Sequence, residues 1–302
     1  MRFRSIMGVV VGFVFFTATV QATLVPLEFA RDTGGYHGFS MDQSTEKYYH
    51  VSHYNNACQL QTYANRTDFL NNTTPSTVDL QPEDGGIFGT YLEVMNGKVY
   101  GHDNPASATA SRWDASSGEN DLSTDVFPNM GGGNSHAFNW GGYSAVNFFQ
   151  DGTGLYLLGK NLTGDHWQLN QLDNKMNILQ TKTFDGGTLG YAFMINGKLF
   201  TSQNCYINVV DNVFDFATGT YSPVDYTLTI PNTTYYWTNT FYDPIADTAY
   251  FQHSNEGKLY QVTSASTVFN APGSVVPEPA TLALMGLGIA GLAIFRRRRT
   301  AS

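Results

Sequence analysis

Tyr91-Leu92-Glu93-Val94-Met95-Asn96-Gly97-Lys98-Val99-Tyr100 and Tyr191-Ala192-Phe193-Met194-Ile195-Asn196-Gly197-Lys198-Leu199-Phe200 are two versions of one pattern. Each runs five mostly apolar residues into Asn-Gly, then into Lys, an aliphatic residue and an aromatic one. Asn and Gly both accept the positive φ that a two-residue hairpin turn demands, so each stretch reads as two antiparallel strands joined tightly. Asp151-Gly152 and Asp243-Pro244 interrupt two further apolar runs in the same way. First strands (a) are therefore predicted over 91–95, 145–149, 191–195 and 237–242, each followed by a second strand (b).

Outward from these hairpins the pattern repeats. A pair of small residues recurs at Gly34-Gly35, Gly85-Gly86, Gly141-Gly142 and Gly186-Gly187, and in weaker form at Thr233-Thr234. The central aromatic of strand b follows at Tyr49, Tyr100, Tyr156, Phe200 and Tyr250, after 14, 14, 14, 13 and 16 residues. A second mark, on a third strand (c), stands at Tyr63, Trp113, Leu172, Phe214 and Val262. Turn chemistry comes next, clearest at Asp114-Ala115-Ser116-Ser117-Gly118 and Asp215-Phe216-Ala217-Thr218-Gly219, and leads to a fourth strand (d). Five antiparallel units of about 50 residues resemble the repeats of β-propellers in general, without matching one blade family. A single unit cannot bury both faces, so units stack in a ring. The fold class is all-β, with five blades, and residues 24–30 are placed to complete the last blade. A β-sandwich or an irregular β-solenoid is the alternative.

The two ends carry addresses. Arg2 and Arg4 precede an apolar run over 6–18, and Val20-Gln21-Ala22 puts small residues where a secretory signal is cut, after Ala22. At the other end Pro277-Glu278-Pro279 precedes an apolar segment over 280–295 and the cluster Arg296, Arg297, Arg298 and Arg299. That segment is long enough for a short membrane helix, and the arginines hold its end in the cytoplasm. Pro-Glu-Pro, helix and arginines in this order resemble the PEP-CTERM sorting tail of Gram-negative bacteria, over about residues 275–302. The resemblance implies an exosortase-type membrane protease as partner, besides signal peptidase. It also implies transient anchoring in the inner membrane, then release to the cell surface or matrix, often alongside exopolysaccharide. The expected organisation is a signal over 1–22, a propeller over 23–274 and the sorting tail over 275–302.

Charged residues are only 14 % of the chain, which argues against a coiled coil or a disordered acidic tail. Between its two ends the chain holds 10 basic and 24 acidic residues, net −14. Nucleic acid, which needs a basic footprint, is excluded as a partner. Cys58 and Cys205 are the only cysteines, in units one and four. Export favours a disulfide between them; two buried free thiols are the alternative.

In a propeller the d–a and b–c connections share one face. Tyr36, His37, Phe88, Trp140, Tyr143, Tyr235 and Tyr236 lie at strand-a entrances, while His53, His102, His166 and His253 lie at or after strand b. These eleven define a candidate ligand-binding face, since sugars stack on aromatic rings beside a few convergent polar groups. His102-Asp103 and Asp165-His166 lack metal-ligand spacing, and no cofactor motif is present. The expectation is an exported, non-catalytic binding or structural protein associated with exopolysaccharide. The alternative is a polysaccharide hydrolase using Glu93 with Asp103 or Asp165 at the channel mouth, since glycosidases need paired carboxylates.

Overall fold

A computed structural model describes residues 23–34, 37–52, 58–81, 88–102, 109–125, 146–161, 166–229, 237–253 and 256–270. All of them fall within one compact unit, Ala22–Pro272. The chain enters through two short strands, β1 (Thr23–Pro26) and β2 (Glu28–Asp32). Blade 1 follows with β3 (His37–Asp42), β4 (Lys47–Ser52), β5 (Cys58–Tyr63), the helix α1 (Arg66–Asn71) and β6 (Ser76–Leu80). Blade 2 holds β7 (Phe88–Met95), β8 (Lys98–His102), β9 (Thr109–Asp114) and β10 (Asn120–Asp125). Blade 3 holds β11 (Val146–Gln150), β12 (Leu155–Asn161), β13 (His166–Leu172) and β14 (Ile178–Asp185). Blade 4 holds β15 (Tyr191–Ile195), β16 (Lys198–Ser202), β17 (Val209–Asp215) and β18 (Thr220–Thr229). Blade 5 holds β19 (Trp237–Asp243), β20 (Thr248–His253) and β21 (Lys258–Thr263), and α2 (Ala265–Asn270) follows it.

Each blade is an antiparallel meander. The first strands β3, β7, β11, β15 and β19 touch in sequence, and β19 returns to β3, so the ring closes. This is a five-bladed β-propeller. The predicted first strand of blade 4 matches β15 residue for residue, and the other three differ from the observed strands only at their ends. The repeat is visible in the register: Tyr49, Tyr100, Tyr156, Phe200 and Tyr250 pair with Thr62, Arg112, Gln171, Val213 and Gln261. Each of those partners immediately precedes the second mark of its unit. Both sets of marks are buried, because every blade must cover both sheet faces with its neighbours. The core is correspondingly divided into five apolar layers, one at each junction between blades.

Closure departs from the expectation for residues 24–30. The N-terminal arm serves two blades rather than one. β2 pairs antiparallel with β21 and completes blade 5, while β1 adds parallel to the outer strand β18 of blade 4. Val25 and Leu27 turn into the layer between those blades, which fixes the split. Arg31, buried at the end of the arm, donates to the carbonyl of Phe69 at 2.6 Å and to Asn72 Oδ1 at 3.1 Å, reaching blade 1.

Candidate binding face and the axis beside it

Strand direction places the histidine positions. His37 opens β3, His102 closes β8, His166 opens β13 and His253 closes β20, all at the strand ends that lead into d–a or b–c connections. Tyr36, His53, Trp140, Tyr143, Tyr235 and Tyr236 lie outside the described residues, as do the side chains of His37, Phe88 and His102. Ala22, the sorting residues 277–279 and 296–299 and the predicted membrane segment 280–295 also lie outside them. Among the described residues no helix is long and apolar enough to cross a membrane.

The two described histidine side chains of the candidate face differ. His166 is about half exposed, and its Nδ1 faces the carboxylate of Asp185, which leaves Nε2 turned away from that pair. His253 is a correction. It is fully buried, packed edge-on against Trp237 with ring centroids 5.6 Å apart, and its Nδ1 accepts the Glu256 amide at 3.3 Å. Sitting at the last position of an inner strand, it points into the interblade layer, not to solvent.

One pair of connections on this face is described. The linker 186–190 from blade 3 to blade 4 packs on the b–c connection 203–208 of blade 4. The Gly190 amide donates to the Ser202 carbonyl at 2.6 Å, and a Cβ on Gly190 would stand 2.1 Å from the Cys205 nitrogen. Cys205 is buried there with a free thiol, which burial pushes up to about 11, so it is inert. The disulfide to Cys58 is therefore not formed. Cys58 belongs to blade 1 and Cys205 to blade 4, and those blades are not neighbours in the ring. Beside Cys205, Tyr206 is exposed on the same connection. The linear chain does not mark it, because it stands between two marked strands and only histidines stood out in the b–c connections.

Carboxylates at the axis do structural work. Glu93, on β7, accepts from Ser40 Oγ of blade 1, from Gln150 Nε2 of blade 3 at 3.1 Å and from the Gln150 amide at 3.3 Å. Gln150 Nε2 also donates to the carbonyls of Met41 and Val94. Three innermost strands are thus stitched through one carboxyl, whose burial raises its pKa to about 8. Asp42 and Asp243 end the first strands of blades 1 and 5, Asp151 directly follows that of blade 3, and all are buried. Asp42 accepts the amides of Asn96 at 3.0 Å and Gly97 at 2.7 Å from the turn of blade 2. Asp151 accepts the Gly197 amide of blade 4, and Asp243 accepts the Tyr48 hydroxyl of blade 1. Their turn residue type was legible; their reach into the next blade was not. Among the described residues no group of three or more His, Cys, Asp or Glu side chains could hold a metal ion.

A closed ring of five blades, four of them four-stranded and blade 4 extended to five strands by β1, with short, hydrogen-bonded turns on one face and longer connections on the other, defines the class of protein. The olfactomedin-like domain family matches residues 19–267, and the chain belongs to that family. The PEP-CTERM protein-sorting motif matches residues 275–299. That motif marks an exported protein, anchored by its C-terminal tail until exosortase processes it. Among solved structures the fold resembles the glutaminyl cyclase of Myxococcus xanthus, with a TM-score of 0.50, 11 % identity and coverage of 80 % of this chain and 97 % of that one. At such identity the likeness speaks for the propeller alone. No curated protein matches the chain.

Proposed function

We propose that the exported domain is a non-catalytic binding or scaffold module of the cell surface or matrix, whose d–a/b–c face takes extracellular polysaccharide. The observation that carries this reading is the use made of the axial carboxylates. A glycosidase needs two carboxyl groups about 5–10 Å apart and open to substrate. Asp42, Asp151 and Asp243 are instead spent on turn amides and hydroxyls, and Glu93 is enclosed by donors from blades 1 and 3. The strand ends that open the other face carry His37, His102 and His166, which supports a binding face there, and Pro277-Glu278-Pro279 is where exosortase would act.

A glycan array probed with residues 23–276, alongside Tyr235→Ala and Tyr236→Ala, tests the reading. Binding weakened by either substitution is expected, whereas silence across every glycan defeats it. Release of reducing ends from a polysaccharide, abolished by Glu93→Gln, would replace it with the hydrolase reading, in which Glu93 works with Asp103 or Asp165.

A further inference from the structure

Asn-Gly occurs twice in the chain, at Asn96-Gly97 and Asn196-Gly197, and each pair makes up the whole of a two-residue turn. All four residues have positive φ, between 50° and 76°. Asn96 and Asn196 are exposed. A Cβ built on Gly97 or Gly197 would meet nothing within 4 Å, so no neighbouring bulk covers either glycine. Asparagine followed by glycine is the dipeptide most open to attack on itself, because no side chain screens the glycine nitrogen from the asparagine carboxamide.

What each turn does have is a carboxylate on the nucleophile. The Gly97 amide donates to Asp42 Oδ2 of blade 1 at 2.7 Å, and the Gly197 amide donates to Asp151 Oδ2 of blade 3. Both aspartates are buried and fixed by their own loops, Asp42 by Ser44 and Thr45, Asp151 by Thr153. The glycine carbonyls are held as well, by the amides of Ala115 and Phe216 at 2.9 Å. Deamidation begins when the glycine nitrogen loses its proton to hydroxide. That nitrogen then bonds to Asn Cγ, the side-chain nitrogen leaves as ammonia, and water opens the resulting succinimide to aspartate or isoaspartate. A carboxylate accepting the N–H opposes the first step twice. It keeps the proton in a charge-assisted bond, and its own charge disfavours a negative nitrogen beside it.

We infer that Asn96 and Asn196 are latent deamidation sites, each held shut by an aspartate of the preceding blade. The inference stands apart from the polysaccharide reading and survives its failure. Conversion puts a new carboxylate at position 96 or 196, beside Asp42 or Asp151, where like charges repel. The junctions between blades 1 and 2 and between blades 3 and 4 then loosen, so the modification both marks and weakens a protein that has aged outside the cell.

The test holds the purified protein at pH 8.5 and 25 °C and counts aspartate and isoaspartate at positions 96 and 196 by peptide mass spectrometry. The chain unfolded in urea should convert at both positions, and the folded chain at least about tenfold more slowly. Asp42→Ala should speed conversion at position 96 alone, and Asp151→Ala at position 196 alone, each by about tenfold. Phe69→Ala, which destabilises the fold but leaves both glycine amides held, should keep both positions at the parent rate. Where an alanine variant does not fold, Asp42→Asn or Asp151→Asn removes the charge, keeps the shape and decides the same point. Acceleration at both positions in either aspartate variant, or an equal acceleration in Phe69→Ala, assigns the protection to global stability and overturns the gate. Parent rates in both aspartate variants overturn it too, and an unfolded chain that converts at neither position removes the sites themselves.

Discussion

Glu93 is a carboxyl group at the wrong dielectric. Burial lifts it from 4.5 to about 8, so the folded chain holds a proton there that the unfolded chain releases above pH 4.5. Its contribution to stability is fully kept below about 4.5, then declines as pH rises towards 8, by up to about 1.4 kcal/mol per unit. Glu93→Gln keeps the shape and removes the titration. Urea unfolding at pH 5, 6.5 and 8 should show the variant gaining on the parent with each step, and equal pH slopes would refute the assignment. Asp42 is held by hydrogen bonds instead, from amides and hydroxyls of its own loop and of blade 2. Asp42→Ala orphans the amides of Asn96 and Gly97 and should cost about 2–4 kcal/mol, read from the same urea midpoints. In the linear chain Glu93 stood out as a candidate carboxylate of the channel mouth, and Asp42 is an ordinary turn-forming residue type. Their true partners lie 53 to 57 residues away on other blades, a distance no local pattern encodes.

Turns and helices show how five similar units are made into a ring. Blades 2 and 4 turn on Asn-Gly with both residues at positive φ, whereas blades 1, 3 and 5 turn on an Asp that caps its own loop. An Asp turn followed by an Asn-Gly turn closes two of the junctions through backbone amides. An odd ring cannot alternate throughout, so at blades 5 and 1 two Asp turns meet and the Tyr48 hydroxyl replaces the amide donors. That junction is reinforced by α1, capped by Asn65, whose Phe69 packs among Phe39, Tyr48, Tyr63, Phe241 and Tyr250. The second helix, α2, repeats the device on the other side of blade 5, with Phe269 set against Phe193, Tyr226 and Phe251. Both helices follow a third strand, so blade 5 is wedged on both flanks. Phe69→Ala or Phe269→Ala should each lower stability by about 3–5 kcal/mol in denaturant titration, far more than truncating the exposed Ile245. The hairpin turns and the spacing of the aromatic marks announced the blades, but two six-residue helices leave too short a period to stand out between strands.

The propeller as a whole is closed by the arm over residues 23–32. Ten residues hold blade 4 through β1, blade 5 through β2 and blade 1 through Arg31. Deleting residues 23–32 should expose the edges of β18 and β21, lower the melting temperature by well over 10 °C and open the ring to limited proteolysis. An unchanged melt would show that closure does not depend on the arm. At the other terminus, Glu278→Ala should leave the protein in the membrane fraction instead of being processed, which cell fractionation reports directly.

Export, five repeats, the hairpin positions and the aromatic marks could be read from the residues in order, because each depends on neighbours within about 16 positions. Which loop meets which, why His253 is enclosed while Tyr206 faces water, and why Cys58 and Cys205 stay apart depend on the order of blades around a closed ring. That order joins segments more than 200 residues apart, and it is set by how the apolar layers fill, a collective property of all five blades.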